Sequence, residues 1–259
     1  MNSGWKTLAA LALTCVFAQR AFAEDTLKVG VAAEPYPPFT VPDASGKWSG
    51  WEIDMMNAIC DHAKLKCVVA ATAWDGIIPA LTSHKIDMIM SSMSINPERE
   101  KTIDFSDKYY NSPPAILAAK DSDIKPTPEG LKGKILGVQV STTHESYAKK
   151  YFGSVVSELK IYQTQDEANQ DLAAGRIDAL QADSVTEEDF LKSDQGKCCK
   201  SLGAPKDDAE ILGVGAGIGL RKGETALKDK LNAAIKAVRA DGTYDKISKK
   251  YFDFDIYGG

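Results

Sequence analysis

Ala80-Leu81-Thr82-Ser83-His84-Lys85-Ile86-Asp87 and Asp171-Leu172-Ala173-Ala174-Gly175-Arg176-Ile177-Asp178 carry one pattern twice. In each, a stretch with apolar residues at helical spacing ends on a basic residue and enters a strand through Ile-Asp. The first strand, Ile86 to Met90, runs out into Ser91-Ser92-Met93-Ser94, and the second into Gln181-Ala182-Asp183-Ser184. In open α/β sheets ligands sit beyond the carboxyl ends of the strands. Two such clusters in two similar halves therefore predict two α/β lobes whose binding edges face each other.

Outward from that repeat, strand-like and helix-like runs alternate, as they do where helices pack on parallel sheets. Leu27 to Val31 alternates like a half-buried strand, Asp54 to Ala63 has helical spacing, Cys67 to Ala70 is a short apolar strand, and Ile77 to Leu81 is a second helical piece. Prolines and polar residues interrupt the pattern at Tyr109-Tyr110-Asn111-Ser112-Pro113-Pro114. The run Gly213 to Gly219 supplies a second crossing if the C-terminus completes the first lobe. Its alternate glycines also suit a strand packed closely on a neighbour, and it lacks the helix start and downstream acid of a dinucleotide loop. Ala226 to Ala240 is an amphipathic helix stopped by Asp241-Gly242, and a basic helical piece follows, ending in Tyr251. The expected division is 1–23 as a signal peptide, 24–111 with 211–259 as lobe 1, and 112–210 as lobe 2.

The signal reading rests on Lys6, the apolar stretch Leu8 to Phe17, and the small-x-small site Ala21-Phe22-Ala23. That stretch is about ten residues, short of the ~20 needed to span a bilayer, and Leu13-Thr14 fits poorly before a lipidated Cys15. Cleavage removes Lys6 and Arg20 and no acid, taking the formal charge from −5 to −7. An acidic chain argues against nucleic acid, whose phosphates demand a basic face. Of the four cysteines left in an oxidising compartment, Cys60 and Cys67 bracket a short helix-to-strand connection that a disulfide can span. Cys198 and Cys199 are adjacent, a spacing unsuited to ordinary disulfide geometry, and are read as free or as a strained vicinal bridge.

Four features converge on recognition of a zwitterion. Asn96-Pro97-Glu98-Arg99 reads as a helix start with Asn96 as N-cap and Pro97 at the first helical position, projecting Arg99 near the serine cluster to grip a carboxylate in a bidentate fork. The alternative is a surface arginine paired with Glu98 or Glu100. Thr142 and Glu145 make a capping box, placing the Thr142 and Thr143 amides at a helix N-terminus suited to anions, with simple capping as the alternative. Asp183 is a candidate partner for an ammonium group. Tyr36 and Trp74 could flank a side chain by stacking or cation–π contact, or serve as core. Among the three histidines, His62 and His84 have no visible partner, and no nucleophile elbow, zinc motif or phosphate loop appears.

At these residues the chain resembles family 3 of the extracellular solute-binding proteins, in particular the lysine/arginine/ornithine-, histidine- and octopine-binding branch. The resemblance is carried by Gly50-Trp51-Glu52-Ile53-Asp54-Met55, with Trp51 where Phe or Tyr is usual, by Trp74-Asp75-Gly76-Ile77-Ile78-Pro79, by Ser91 through Arg99, by Asp104-Phe105-Ser106, and by Asp241-Gly242-Thr243-Tyr244 to Tyr251-Phe252. It implies a two-lobed periplasmic-binding-protein fold of type II, two mixed sheets flanked by helices and joined by two hinge strands, closing around one amino acid. It implies that Arg99, Ser94 and Thr143 take the carboxylate and that Asp183 and the Ser92 region take the ammonium. Tyr36 and Trp74 flank the side chain, and Glu34, Ser91, Gln139, Thr142 and His144 complete the site. The Cys60–Cys67 position matches that branch's disulfide. The implied protein is a periplasmic monomer without cofactor, metal or catalytic residue, serving an inner-membrane ABC permease. One departure bears on specificity: basic-amino-acid binders carry an acid three residues before the tyrosine, where this chain has Ala33 followed by Glu34. His144 and Trp74 look more like the opine-binding members, so basic amino acids lead, with opines and 4-aminobutyrate as the alternative and a dehydratase of this fold behind them.

Overall fold

The computed structural model describes residues 26–258, and the signal-peptide reading of 1–23 lies outside them. Two five-stranded sheets are present. The first runs in the order Lys66–Thr72, Thr26–Ala32, Met88–Ile89, Ala216–Arg221, Ile103–Tyr110, with only Ala216–Arg221 antiparallel to its neighbours. The second runs Glu158–Tyr162, Ile135–Gln139, Ala179–Asp183, Pro114–Ala119, Cys199–Ser201, again three parallel strands followed by an antiparallel one. The chain passes from the first sheet to the second between Tyr110 and Pro114 and regains the first at Ala216.

The repeated Ile-Asp has a double structural cause. Asp87 Oδ2 accepts from the Lys28 amide at 2.8 Å, and Asp178 Oδ2 accepts from the Ile135 amide at 2.8 Å, so each carboxylate satisfies the entry of the neighbouring strand. Each isoleucine lies against a glycine of that strand: a Cβ at Gly30 would stand 2.3 Å from Ile86 Cδ1, and one at Gly137 would stand 2.6 Å from Ile177 Cδ1. The turn before each pair needs a left-handed residue, supplied by His84 (φ 60°) in one half and Gly175 (φ 67°) in the other. His84 is therefore a turn residue.

Most expected elements appear with shifted ends. The first helix is Trp51–His62, beginning a turn earlier than its apolar spacing indicates. Strand Ile86 to Met90 shortens to Met88–Ile89. The expected alternation in the first strand is corrected: Val29, Gly30, Val31 and Ala32 are all buried, because this strand is interior to its sheet and covered on both faces. The glycine run packs closely on its surroundings, a Cβ at Gly217 meeting Ile95 Cδ1 at 2.7 Å. Helix Thr225–Ala240 places Leu231, Ala234, Ile235 and Val238 into the first core beside Trp51, Met55 and Ile59. Cys60 and Cys67 are joined, tying the end of helix Trp51–His62 to strand Lys66–Thr72.

Gly50 starts that helix at φ 120°, and a Cβ there would lie 2.2 Å from the Phe39 carbonyl oxygen. Gly50→Ala should cost about 2–3 kcal/mol, read as a lowered urea midpoint. Gly46→Ala, at φ 81° with nothing within 4 Å, should cost only about 1 kcal/mol.

Candidate ligand-binding cleft

A cleft of about 570 Å³, open to solvent, lies where the carboxyl ends of the two sheets meet. All twelve residues named from sequence line it: Glu34, Tyr36, Trp74, Ser91, Ser92, Ser94 and Arg99 on one wall, and Gln139, Thr142, Thr143, His144 and Asp183 on the other. Ala32, Pro35 and Gln165 join them. Gln165 was legible in principle, since Thr164 and Glu167 form a full capping box that marks a helix start at its position.

Arg99 sits on the short helix Pro97–Glu100, whose N-cap Asn96 accepts from the Arg99 amide at 2.9 Å. Its guanidinium donates to the Ser94 carbonyl at 2.9 Å and, across the cleft, to the Ser141 carbonyl at 3.2 Å, with its carbon 5.5 Å from the centre of the Trp74 ring. Burial lowers its pKa to about 10, opposed by Asp183, so it stays cationic at neutral pH. The pairing with Glu98 or Glu100 does not form; Glu98 accepts instead from Lys101 at 2.6 Å.

Asp183 ends a strand and precedes helix Ser184–Lys192. One oxygen accepts from the Tyr36 hydroxyl at 2.6 Å, and the other lies 3.3 Å from His144 Nε2. Burial, then the Asp183 charge, push the Tyr36 hydroxyl well above the ordinary tyrosine range, so Tyr36 is a proton donor here. Trp74 Nε1 donates to the Val140 carbonyl at 3.1 Å. Tyr36, Trp74 and Arg99 thus each bond directly to the opposite wall.

The serines are positioned from behind. Ser91 Oγ accepts from the Ala32 amide at 2.9 Å. Ser92, in a left-handed conformation (φ 54°), gives its amide (2.7 Å) and hydroxyl (3.1 Å) to Glu52, which also accepts from the Tyr109 hydroxyl. Glu52 is buried, which raises its pKa. This carboxylate lies in the Gly50–Met55 motif but was not read as a functional group, because helical spacing alone does not distinguish an inward acid from a solvated one. Trp51 is explained alongside it: its Nε1 donates to Ser248 Oγ at 3.0 Å inside the core.

The expected capping box at Thr142 is corrected to half a box. Thr142 Oγ1 accepts from the Glu145 amide at 3.1 Å, but the Glu145 carboxylate takes the Ser141 amide at 2.6 Å. The left-handed turn at Ser141 (φ 58°) brings that amide over the carboxylate in place of the Thr142 amide. Glu34 lines the cleft with one carboxylate oxygen buried and unpartnered, whereas Ala33 is exposed and outside the lining.

The model of the bacterial extracellular solute-binding proteins, family 3, matches residues 27–254. The chain belongs to that family. It is 42% identical over 252 residues to the L-arginine-binding protein of Pseudomonas aeruginosa, covering 97% of each chain. It is 42% identical over 258 residues to the histidine-binding periplasmic protein of Salmonella typhimurium, covering 98% of this chain and 99% of that one. Its fold is similar to that of an ancestral arginine-binding protein bound to arginine, with a TM-score of 0.79, 37% identity, and coverage of 88% of this chain and 98% of that one. Among the described residues of this family 3 protein, no helix is long and apolar enough to cross a membrane, and no group of three or more His, Cys, Asp or Glu is placed to hold a metal ion.

Proposed function

We propose that this protein is the periplasmic substrate-binding component of an ABC importer, exported by cleavage near Ala23, and that its ligand is a cationic amino acid. The observation that carries this reading is the distribution of charge in the cleft. A half-buried arginine with no acid at ion-pair distance lies on one side, and Asp183 and the unpartnered Glu34 oxygen lie where positive groups would be received. Arg99, Ser94 and the Thr143 amide hold the carboxylate in this assignment. Asp183 receives the ammonium, and Tyr36 and Trp74 flank the side chain whose cationic end meets Glu34. The lobe boundaries near residues 111 and 211, and a monomeric state, belong to the same reading. The names of the relatives, for arginine and histidine, support the ligand class. Each charged group is arranged to hold an opposite charge, which suits a carrier rather than a catalyst.

Opines or 4-aminobutyrate form the second reading, favoured by Ala33 lying outside the cleft while His144 and Trp74 line it. A thermal-shift screen of ligand-stripped protein, followed by calorimetry, tests both. A true ligand at about 100 times its Kd adds about 2.7 kcal/mol of stability, so arginine, lysine, ornithine or histidine should raise the Tm clearly. Shifts with opines or 4-aminobutyrate alone would move the assignment to the second reading. No shift with any of them would sink the site.

A further inference from the structure

Cys198 and Cys199 stand apart from the cleft, at the start of the edge strand Cys199–Ser201. Their sulfurs are 3.0 Å apart, inside ordinary van der Waals contact. The two side chains differ in access: Cys198 is exposed, Cys199 is 3% exposed. The other two cysteines among the described residues are already joined to each other, so among the described residues these thiols have only one another. The backbone around them is held on both sides, since the Lys120 amide donates to the Cys198 carbonyl at 2.9 Å and Cys199 pairs in register with Ala119.

We propose that Cys198 and Cys199 form a thiol–disulfide exchange site, whose substrate is a small-molecule disulfide and whose oxidised state is a vicinal disulfide. The exposed Cys198 sulfur, as thiolate, attacks one sulfur of R–S–S–R′. The S–S bond breaks, and R′–S⁻ leaves and takes up the proton that Cys198 released. The Cys199 sulfur then gives up its proton and attacks the Cys198 sulfur of the mixed disulfide, expelling R–S⁻, which is protonated in turn. Two protein thiols are oxidised to one disulfide, and the external disulfide is reduced to two thiols. Burial first, then the neighbouring Cys198, push the Cys199 thiol up to about 12, with Glu187 adding to the rise and Lys120 opposing it in part, so Cys199 is not the sulfur that attacks first, and the exposed Cys198 is. The product is labile: adjacent Cα atoms lie about 3.8 Å apart, short of the roughly 4.4 Å at which relaxed disulfides begin, and strained bridges are the readily reduced ones.

The test uses the mature protein, treated with dithiothreitol, desalted, exposed to oxidised glutathione, then denatured and alkylated without reductant before intact-mass measurement. The expected wild-type product carries no alkyl group and no glutathione, and mild reduction of the native protein restores two alkylatable thiols. Cys199→Ser should stop with one glutathione on Cys198, the intermediate that wild type resolves. Two alkylated cysteines after the glutathione challenge would overturn the proposal. A wild-type protein that retains glutathione, or that links into dimers through Cys198, would overturn it as well.

Discussion

Arg99→Ala should weaken arginine binding by two to three orders of magnitude in calorimetry while leaving the far-ultraviolet circular dichroism unchanged. Removing one partner of a buried, hydrogen-bonded charge pair costs about 2–5 kcal/mol, and each 1.4 kcal/mol is about tenfold in affinity. Arg99 is the cation on the Ser94 side of the cleft, already desolvated and held by the Ser94 and Ser141 carbonyls. A ligand carboxylate therefore meets a guanidinium whose orientation is set before binding. The fold should tolerate the change, because the two carbonyls it releases lie at the cleft and can bond water. Arg99→Lys keeps the charge but not the planar fork, so it should recover only part of the loss. If Arg99→Ala binds within tenfold of wild type, the carboxylate is held elsewhere and the assignment of the cleft fails.

Glu187→Gln should change the pH dependence of stability more than any other single substitution in the second lobe. Glu187 lies on helix Ser184–Lys192, 1% exposed, with neither carboxylate oxygen in hydrogen-bonding geometry. Burial, then repulsion from Asp183, raise its pKa to about 8, with Asn169 opposing in part. An acid whose pKa is higher folded than unfolded is stabilising while protonated. Its contribution is full below the ordinary glutamate value of about 4.5 and is lost as pH rises to about 8. At roughly 1.4 kcal/mol per unit, several kcal/mol are lost across that window. Urea unfolding near pH 5 should find wild type and variant similar, and near pH 8.5 the variant should be the more stable by about 3–5 kcal/mol. A difference that does not vary with pH would mean that the carboxyl titrates normally.

The architecture was legible because its signal is local and duplicated. Ile86-Asp87 and Ile177-Asp178 announce a strand entry with its own hydrogen-bond acceptor and its own packing partner, and both ends of that arrangement lie within one lobe. Of the cleft residues, Ser91, Ser92, Ser94 and Asp183 were legible from their places at the ends of those strands, while Glu34, Gln139 and His144 entered only through the family resemblance. What escaped is what depends on distance along the chain. Glu52 and Glu187 look like solvated helix acids until strands and helices from elsewhere cover them. The tie between Tyr36 and Asp183 spans 147 positions, and no periodicity encodes it. The half-formed box at Thr142 depended on a left-handed residue at Ser141, a conformation that serine adopts too seldom to be expected.

Three bonds join the walls of the cleft without passing through a ligand: Tyr36 to Asp183, Trp74 to Val140, and Arg99 to Ser141. They bear on affinity through the population of the shut conformation, because apparent affinity is the intrinsic affinity scaled by the fraction of molecules ready to bind. Whatever these contacts add to the shut state is shared by every ligand the cleft takes. Trp74 serves both ends, its indole N–H tying the walls through the Val140 carbonyl while its ring lines the cleft beside Arg99, so the latch and the choice of ligand meet in one side chain.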